Sequence, residues 1–335
     1  MIRSPRLEVL VDGVVLGGVL AVDLFLTSLL SADRFRVQVA GVVDVAGLRR
    51  PGARVEVSAA LEGEAFVPLV TGQVDSLAWD AANRVLDLEG RDLSAVLMET
   101  QAGETFANQT ASEIVAAVAA RNGLAADVTD TATPVGRYYQ GQHDRMTLGQ
   151  FARAQTEWDL LAWLAGQEGF ELGMVGDRLS FGPRDDATID LAAADCVSVV
   201  LQQQVGLCRP LRVTVRSWGT RTGKGVEAKA EAAGDGPVWA QSIVRPNLTA
   251  DEAERLATRT VGDLQRHAWT GQVSMPGELE LTARSRVVLT GAGEAWDRAF
   301  DVVGIDRHID VRRGFTQHLE LQTSQGGGGV RGAAA

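Results

Sequence analysis

The side chains in this 335-residue chain that could do chemistry are few and scattered. His143, His267, His308 and His318 show no His-x-x-x-His or His-Glu-x-x-His spacing, the arrangement that puts two imidazoles on one helix face to hold a metal. They read as surface or strand residues. Cys196 and Cys208 lack the paired Cys/His spacing of a zinc site and are too few for a disulfide framework, so they read as packing residues or free thiols. Asp185-Asp186, after Gly182-Pro183, offers two carboxylates without the nucleophile, base or orienting group that a reaction centre needs, and reads as a solvated interdomain loop. Ser217 to Gly225 is Gly-rich and basic, with Trp218, Arg221 and Lys224. It lacks the Gly-Lys-Thr/Ser ending of a phosphate loop, which leaves a subunit contact or a disordered tip. Tyr138 and Tyr139 are the two tyrosines of the chain and stand side by side in Thr133 to Gln142. Aromatic pairs are favoured in binding surfaces, and the competing reading is a strand edge packed on a neighbouring helix. The residues therefore call for no catalytic group, cofactor or metal, and they nominate Tyr138, Tyr139, Trp218 and Arg221 as interface candidates.

Composition narrows the classes further. A hydrophobic share of 45% with 22% charged residues is that of a globular chain able to bury cores, and the length suits two or three of them. The net charge of −11 argues against stable nucleic-acid binding, which needs clustered Lys and Arg against phosphate. The N-terminus has no basic start followed by a long apolar run, and the most apolar stretch, Val14 to Leu30, is broken by Asp23, so neither a signal peptide nor a membrane span is expected.

The elements that must position these residues fall into β-rich, mixed and again β-rich regions. From Leu7 to Leu93 short apolar runs alternate with turns: Leu7 to Val11 meets Asp12-Gly13, and Phe35 to Val39, Arg54 to Val57 and Val85 to Glu89 alternate with period two. Residues 1–94 are expected to form a β-domain. Between Thr110 and Glu168 three segments open with Thr-x-x-Glu, Thr-x-x-Gln or Thr-x-x-Asp, at Thr110, Thr147 and Thr156, the pattern that caps free N–H groups at a helix start. Asn122-Gly123 and Gly169 end the first and third, and Phe170 to Val175 with Arg178 to Phe181 makes a hairpin about Gly176-Asp177. Residues 95–190 are expected to form a small α+β domain. Strand patterns return at Cys196 to Leu201, Leu211 to Arg216 and Leu279 to Leu281 and run to Leu321. Thr249 to Glu252 caps an intervening helix whose apolar face is Ala253, Leu256, Val261, Leu264 and Ala268. A second β-domain is assigned to 191–222 and 276–325, a helix-containing insertion to 223–275, and a flexible Gly-rich tail to 326–335.

The two β regions repeat one another. Arg54-Val55 precedes Val70-Thr71-Gly72 as Arg286-Val287 precedes Val302-Val303-Gly304, both over 18 positions, and each is followed by another alternating strand. The alternatives are two unrelated hairpins or two copies of one small barrel. With two copies, a trimer presents six quasi-equivalent barrels in a ring, able to meet a six-fold tube on one side and a three-fold object on the other.

The segment Thr156 to Leu161, Leu164-Ala165, Glu168-Gly169-Phe170 and Gly176 to Pro183 resembles the late control protein D family of contractile-tail baseplate hubs. It is also similar to the N-terminal hub part of type VI secretion VgrG spike proteins. Ala253 to Leu264, Val287 to Leu289 and Gly304 to Phe315 share the resemblance, which covers nearly the whole chain through packing signatures. It implies an α+β, β-rich fold: two tube-like antiparallel β-barrel domains with a small α+β domain between them and a helical insertion in the second. It implies a homotrimeric, non-enzymatic virion protein of the tail baseplate, assembled in the bacterial host cytoplasm. That trimer would be a symmetry adaptor between the hexameric tail tube, or a tube-initiator protein, and the trimeric central spike, beside other baseplate proteins. DNA or cargo would only pass through its channel. The spike is expected on a separate polypeptide, and no membrane partner is expected. The competing class is a tail-associated cell-wall-binding or peptidoglycan-degrading protein, and a third is a subunit of a phage-derived injection device.

Overall fold

The structure is a computed structural model that describes residues 5–41, 47–61, 63–103, 106, 109–132, 134–135, 155–184, 187–219, 223–324 and 331–334. The chain divides into two compact units. The first comprises Met1–Asp185, Met275–Arg284 and Gly304–His318, and the second Asp186–Ser274, Ser285–Val303 and Leu319–Ala335.

The first unit begins with β1 (Arg6–Val11), β2 (Val14–Val15), β3 (Val19–Thr27), β4 (Arg34–Ala40), β5 (Arg54–Ala60), β6 (Val67–Asp80) and β7 (Val85–Asp92). Period-two alternation sets the faces: Phe35, Val37 and Val39 of β4 are buried while Arg34, Arg36 and Gln38 between them are not. Asp12 and Gly13 both adopt positive φ, 48° and 80°, in the tight turn that joins β1 to β2. Phe35 fills the middle of this sheet by lying over backbone: a Cβ at Gly72 would meet its Cε1 at 2.8 Å, and one at Gly90 its Cζ at 2.4 Å. Those two positions exclude every larger residue.

A mixed layer follows, with β8 (Gln109–Thr110), β9 (Ala125–Val128), β10 (Pro134–Val135), β11 (Glu171–Val175), β12 (Arg178–Gly182) and helices Ser94–Glu99, Ala111–Arg121 and Glu157–Glu168. The capping boxes at Thr110/Glu113 and Thr156/Asp159 form as the sequence predicts, and Gly169 closes the last helix in the left-handed conformation. Ile114, Val115, Val118, Leu161 and Leu164 share one core with Leu179 and Phe181 of β12. The helix expected from Thr147 lies outside the described residues.

The second unit holds β13 (Thr188–Ala192), β14 (Ser198–Gln203), β15 (Leu211–Trp218), β16 (Gly225–Ala232), β17 (Trp239–Val244), β19 (Arg286–Thr290), β22 (Arg331–Ala334) and parts of β18 (Trp269–Pro276), β20 (Arg298–Asp310) and β21 (Gly314–Thr323). Across the two units four assignments differ from the sequence reading. Strand β15, assigned to the second β-domain, pairs instead with β16 and β17, and its Leu211, Val213 and Val215 pack with Ala253, Ala257 and Val261 of helix Ala250–Gln265. Strand β18, assigned to the insertion, pairs with β14. Leu279 to Leu281 is no strand. Both leucines are buried, and the carbonyls of Glu278 and Leu281 accept from the buried Arg307 guanidinium, which burial pulls down to about 10. Residues 331–334, placed in a flexible tail, pair with β16. Alternation reports that a segment is extended with one buried face and carries no information about which sheet receives it.

Two runs of six strands share one hydrogen-bonded order: β1-β5-β6-β7-β4-β3 and β13-β19-β20-β21-β18-β14. Matched in chain order, every strand of one run has its counterpart at the same position in the other. They differ in detail. β1 is antiparallel to β5 whereas β13 is parallel to β19. Arg54 stands opposite Gln73, but Arg286 stands opposite Asp301, four residues earlier than the equal 18-residue spacings imply. A slip of four is even, so the core-facing side chains stay on the core face.

Candidate assembly surfaces

Three features of the described residues bring functional side chains together. The first is a half-buried ionic joint in the first unit. Arg184 Nε donates to Glu171 Oε1 at 2.6 Å, Arg284 Nε lies 4.0 Å from Glu171 Oε2, and the Arg284 guanidinium occupies the space over Gly173 where a side chain would otherwise sit. Nearby, Thr27 N donates to Asp33 Oδ1 at 2.7 Å, Asp92 N donates to the Asp33 carbonyl at 2.9 Å, and the Ser94 hydroxyl donates to Asp92 Oδ1 at 2.5 Å. Burial, reinforced by the Asp92 charge, pushes Asp33 up to about 7, and burial pushes Asp92 up to about 6 against its Ser94 bonds. Burial also pulls the Arg284 guanidinium down. Raised carboxyls resemble an acid–base pair. Here the carboxyls are held by Thr27 N and Ser94, and the arginines by Glu171; with Arg184 Nη2 donating to Ser28 Oγ at 3.4 Å, these bonds fasten the loop after β3 to the end of β7 and the β11–β12 hairpin. Trp158 Nε1, donating to the Leu30 carbonyl at 3.1 Å, fastens the same loop to helix Glu157–Glu168.

The second feature is a groove of about 730 Å³ beside the outer half of β6. The β5–β6 ladder stops at Arg54 opposite Gln73, with Val74 N donating to the Ala53 carbonyl, while β6 continues to Asp80 paired with β7 alone. The segment Leu48–Gly52 lines the far side of the groove. Leu77 and Trp79 stand opposite Leu88 and Leu86, which are buried, so both face the core side of the sheet; yet Trp79 is 50% exposed. On the groove wall Arg91 holds both Asp75 and Glu99 at 2.6 Å, and the two bonds push its guanidinium up.

The third feature is the edge strand β14. Its described pairing is to β18, and Val199 and Leu201, opposite buried Val273 and Gly271, are only half-buried. Val197 and Val200 are 80% and 60% exposed.

Of the four interface candidates named from sequence, Trp218 is described: it ends β15 opposite Gly225 and is about half exposed, and Gly219 N donates to the Lys224 carbonyl across the hairpin. Tyr138, Tyr139 and Arg221 lie outside the described residues, as do His143 and the Asp185-Asp186 pair. Cys196 and Cys208 are free thiols, the first pushed up by burial. His308 Nδ1 lies 2.5 Å from Asp23 Oδ1, a cross-strand contact between β20 and β3. Among the described residues no three His, Cys, Asp or Glu side chains converge as a metal site would require.

No protein-family model matches the sequence, and no curated protein matches it. Solved structures do match. The 43 kDa tail protein of prophage MuSo2 from Shewanella oneidensis superimposes with a TM-score of 0.74 at 17% identity, over 97% of this chain and 100% of that one. The tail protein from Neisseria meningitidis MC58 gives 0.72 at 16% identity, over 96% and 97%. The E. coli c3393 protein, a component of the type VI secretion system, gives 0.58 at 10% identity, over 97% and 79%. The chain shares the fold of the two tail proteins along nearly its whole length.

Proposed function

We propose that the chain is a structural hub subunit of the baseplate of a contractile phage tail or phage-tail-like particle, of the late control protein D kind. Three copies form a symmetry adaptor in which each run of six strands closes into a tube-like barrel, so that six barrels face the hexameric tail tube and three subunits face the central spike. The observation that carries this reading is the recurrence of one strand order twice in a single chain. A three-fold ring of such chains is quasi-six-fold, which is what a joint between a six-fold and a three-fold object requires. The tail-protein fold supports it, as does the likeness to a type VI secretion component. The subunit works without catalysis, in the virion tail, and its net charge of −11 lets DNA or cargo pass without being held. Trp218, Tyr138, Tyr139 and Arg221 are proposed contact residues toward neighbouring baseplate proteins.

Light scattering of the purified protein at several concentrations, alone and with a co-expressed spike protein, tests this. The expected mass is that of three 35.6 kDa chains, alone or with the spike. A persistent monomer that also refuses the spike, or release of soluble fragments from purified peptidoglycan, would overturn it in favour of a wall-binding or wall-degrading protein.

A further inference from the structure

We infer that β14 of one copy pairs antiparallel with the outer half of β6, Val74–Asp80, of the next copy, lying in the groove beside Trp79. This rests on the ring of three chains proposed above and names the strands that close it.

β20 is the second run's counterpart of β6. Its first residues pair with β19, and beyond them Gly304–Asp310 pair antiparallel with β3, placing Ile305, Arg307 and Ile309 opposite Leu26, Leu24 and Val22. All six are buried. The counterpart of β3 is β14, and the counterpart of Gly304–Asp310 is the stretch of β6 beyond Gln73. Each half of that second junction exists in the chain, and each lacks the burial its counterpart receives. On β6, Trp79 faces the core side and is 50% exposed; on β14, Val199 and Leu201 face the core side half-buried, with Val197 80% exposed.

The chemistry of the edge agrees. Sheet edges left free in solution are usually blocked by Lys, Pro, bulges or short length. From Cys196 to Cys208 there is no charged residue and no proline, so β14 is an unprotected strand. The flanking charges are complementary as well. Thr188 to Gln203 carries Asp190 and Asp195 and no Lys or Arg, whereas the groove rim carries exposed Arg49 beside Arg50, which is paired with Asp12 at 2.9 Å, and the groove's own Asp75 and Glu99 are both held by Arg91. Since β14 and β6 are different strands, the contact is head-to-tail, and such contacts close into rings. In a three-chain ring it alternates with the β20–β3 pairing, giving six junctions of one type.

Single cysteines test the pairing in a Cys196→Ser, Cys208→Ser background. Mixed under oxidation, Trp79→Cys and Val199→Cys chains should give a cross-linked pair that neither gives alone, and a chain carrying both should give a covalent trimer. Leu77→Cys and Leu201→Cys complete four combinations, which together cover the neighbouring registers. Particles of three-chain mass that cross-link in none of the four would overturn the pairing while leaving the ring intact; chains that never reach three-chain mass would remove the ring as well. Val197→Lys, on the core side and 80% exposed in the single chain, supplies an independent readout: it should leave the thermal melt of the chain unchanged and weaken association at least tenfold, and wild-type association would count against the inference.

Discussion

β20 and β6 hold the same place in two runs of strands, but one is covered along its length and the other ends beside an open groove. Past its ladder with β19, β20 meets β3, and Ile305, Arg307 and Ile309 are buried there. Past its ladder with β5, β6 meets the groove, and Trp79 stays half exposed on the core side of its sheet. The difference teaches that exposure becomes informative when a matched position in the same chain is buried. A lone exposed tryptophan needs no explanation. One whose counterparts are sealed by a neighbouring strand points to a missing strand.

The covered half is where substitutions should hurt most. Phe35→Ala removes the ring that lies over Gly72 and Gly90, and should cost about 3–5 kcal/mol in urea unfolding of the subunit. A loss near zero would mean that this sheet is not the packed reference the comparison needs.

Next comes the joint behind β3. Asp33 and Asp92 titrate in the folded protein near 7 and 6 against an ordinary 3.8, so between these limits the folded state binds more protons than the unfolded one. Their contribution to stability is present below about pH 4 and lost as pH rises through 6 and 7. Asp33→Asn keeps an acceptor for Thr27 N and removes one such group. It should stabilise the subunit at pH 8 by on the order of 1–2 kcal/mol and by little at pH 4. A variant whose pH profile parallels the wild type would show that burial of this carboxyl is not what the joint imposes. Thr156→Ala, which removes the cap of the helix that brings Trp158 to Leu30, should cost about 1 kcal/mol, checked by thermal melting. Smallest of all, Trp79→Ala should change the melt of the isolated subunit by only about 0.5 kcal/mol while abolishing the three-chain species. A loss comparable to that of Phe35→Ala would mean the groove is closed within the chain, and the comparison would fail.

Much of this was legible in the residues. The capping boxes at Thr110, Thr156 and Thr249 act locally, through a hydroxyl and a carboxylate three residues apart, so their spacing alone identified three helix starts. The Asp12-Gly13 and Gly176-Asp177 turns were read for the same reason. The 18-residue spacings located matching hairpins but not the four-residue slip between them, because register is settled by cross-strand packing. The alternation of β15 fits either sheet equally, so it does not reveal that this strand pairs with β16 and β17. The joint of Asp33, Asp92, Glu171, Arg184 and Arg284 had no signal at all: its members come from five separate segments and share no spacing. The groove and the open edge of β14 were equally silent, since exposure of an apolar residue appears only after its neighbours are placed.

Electron cryomicroscopy of the purified oligomer, at a resolution that separates strands, tests the central claim most directly. The expected map shows three chains around one axis, six matching strand junctions, and β14 of each chain beside Trp79 of the next. A different number of chains, or a ring in which the groove beside β6 faces solvent, would contradict it.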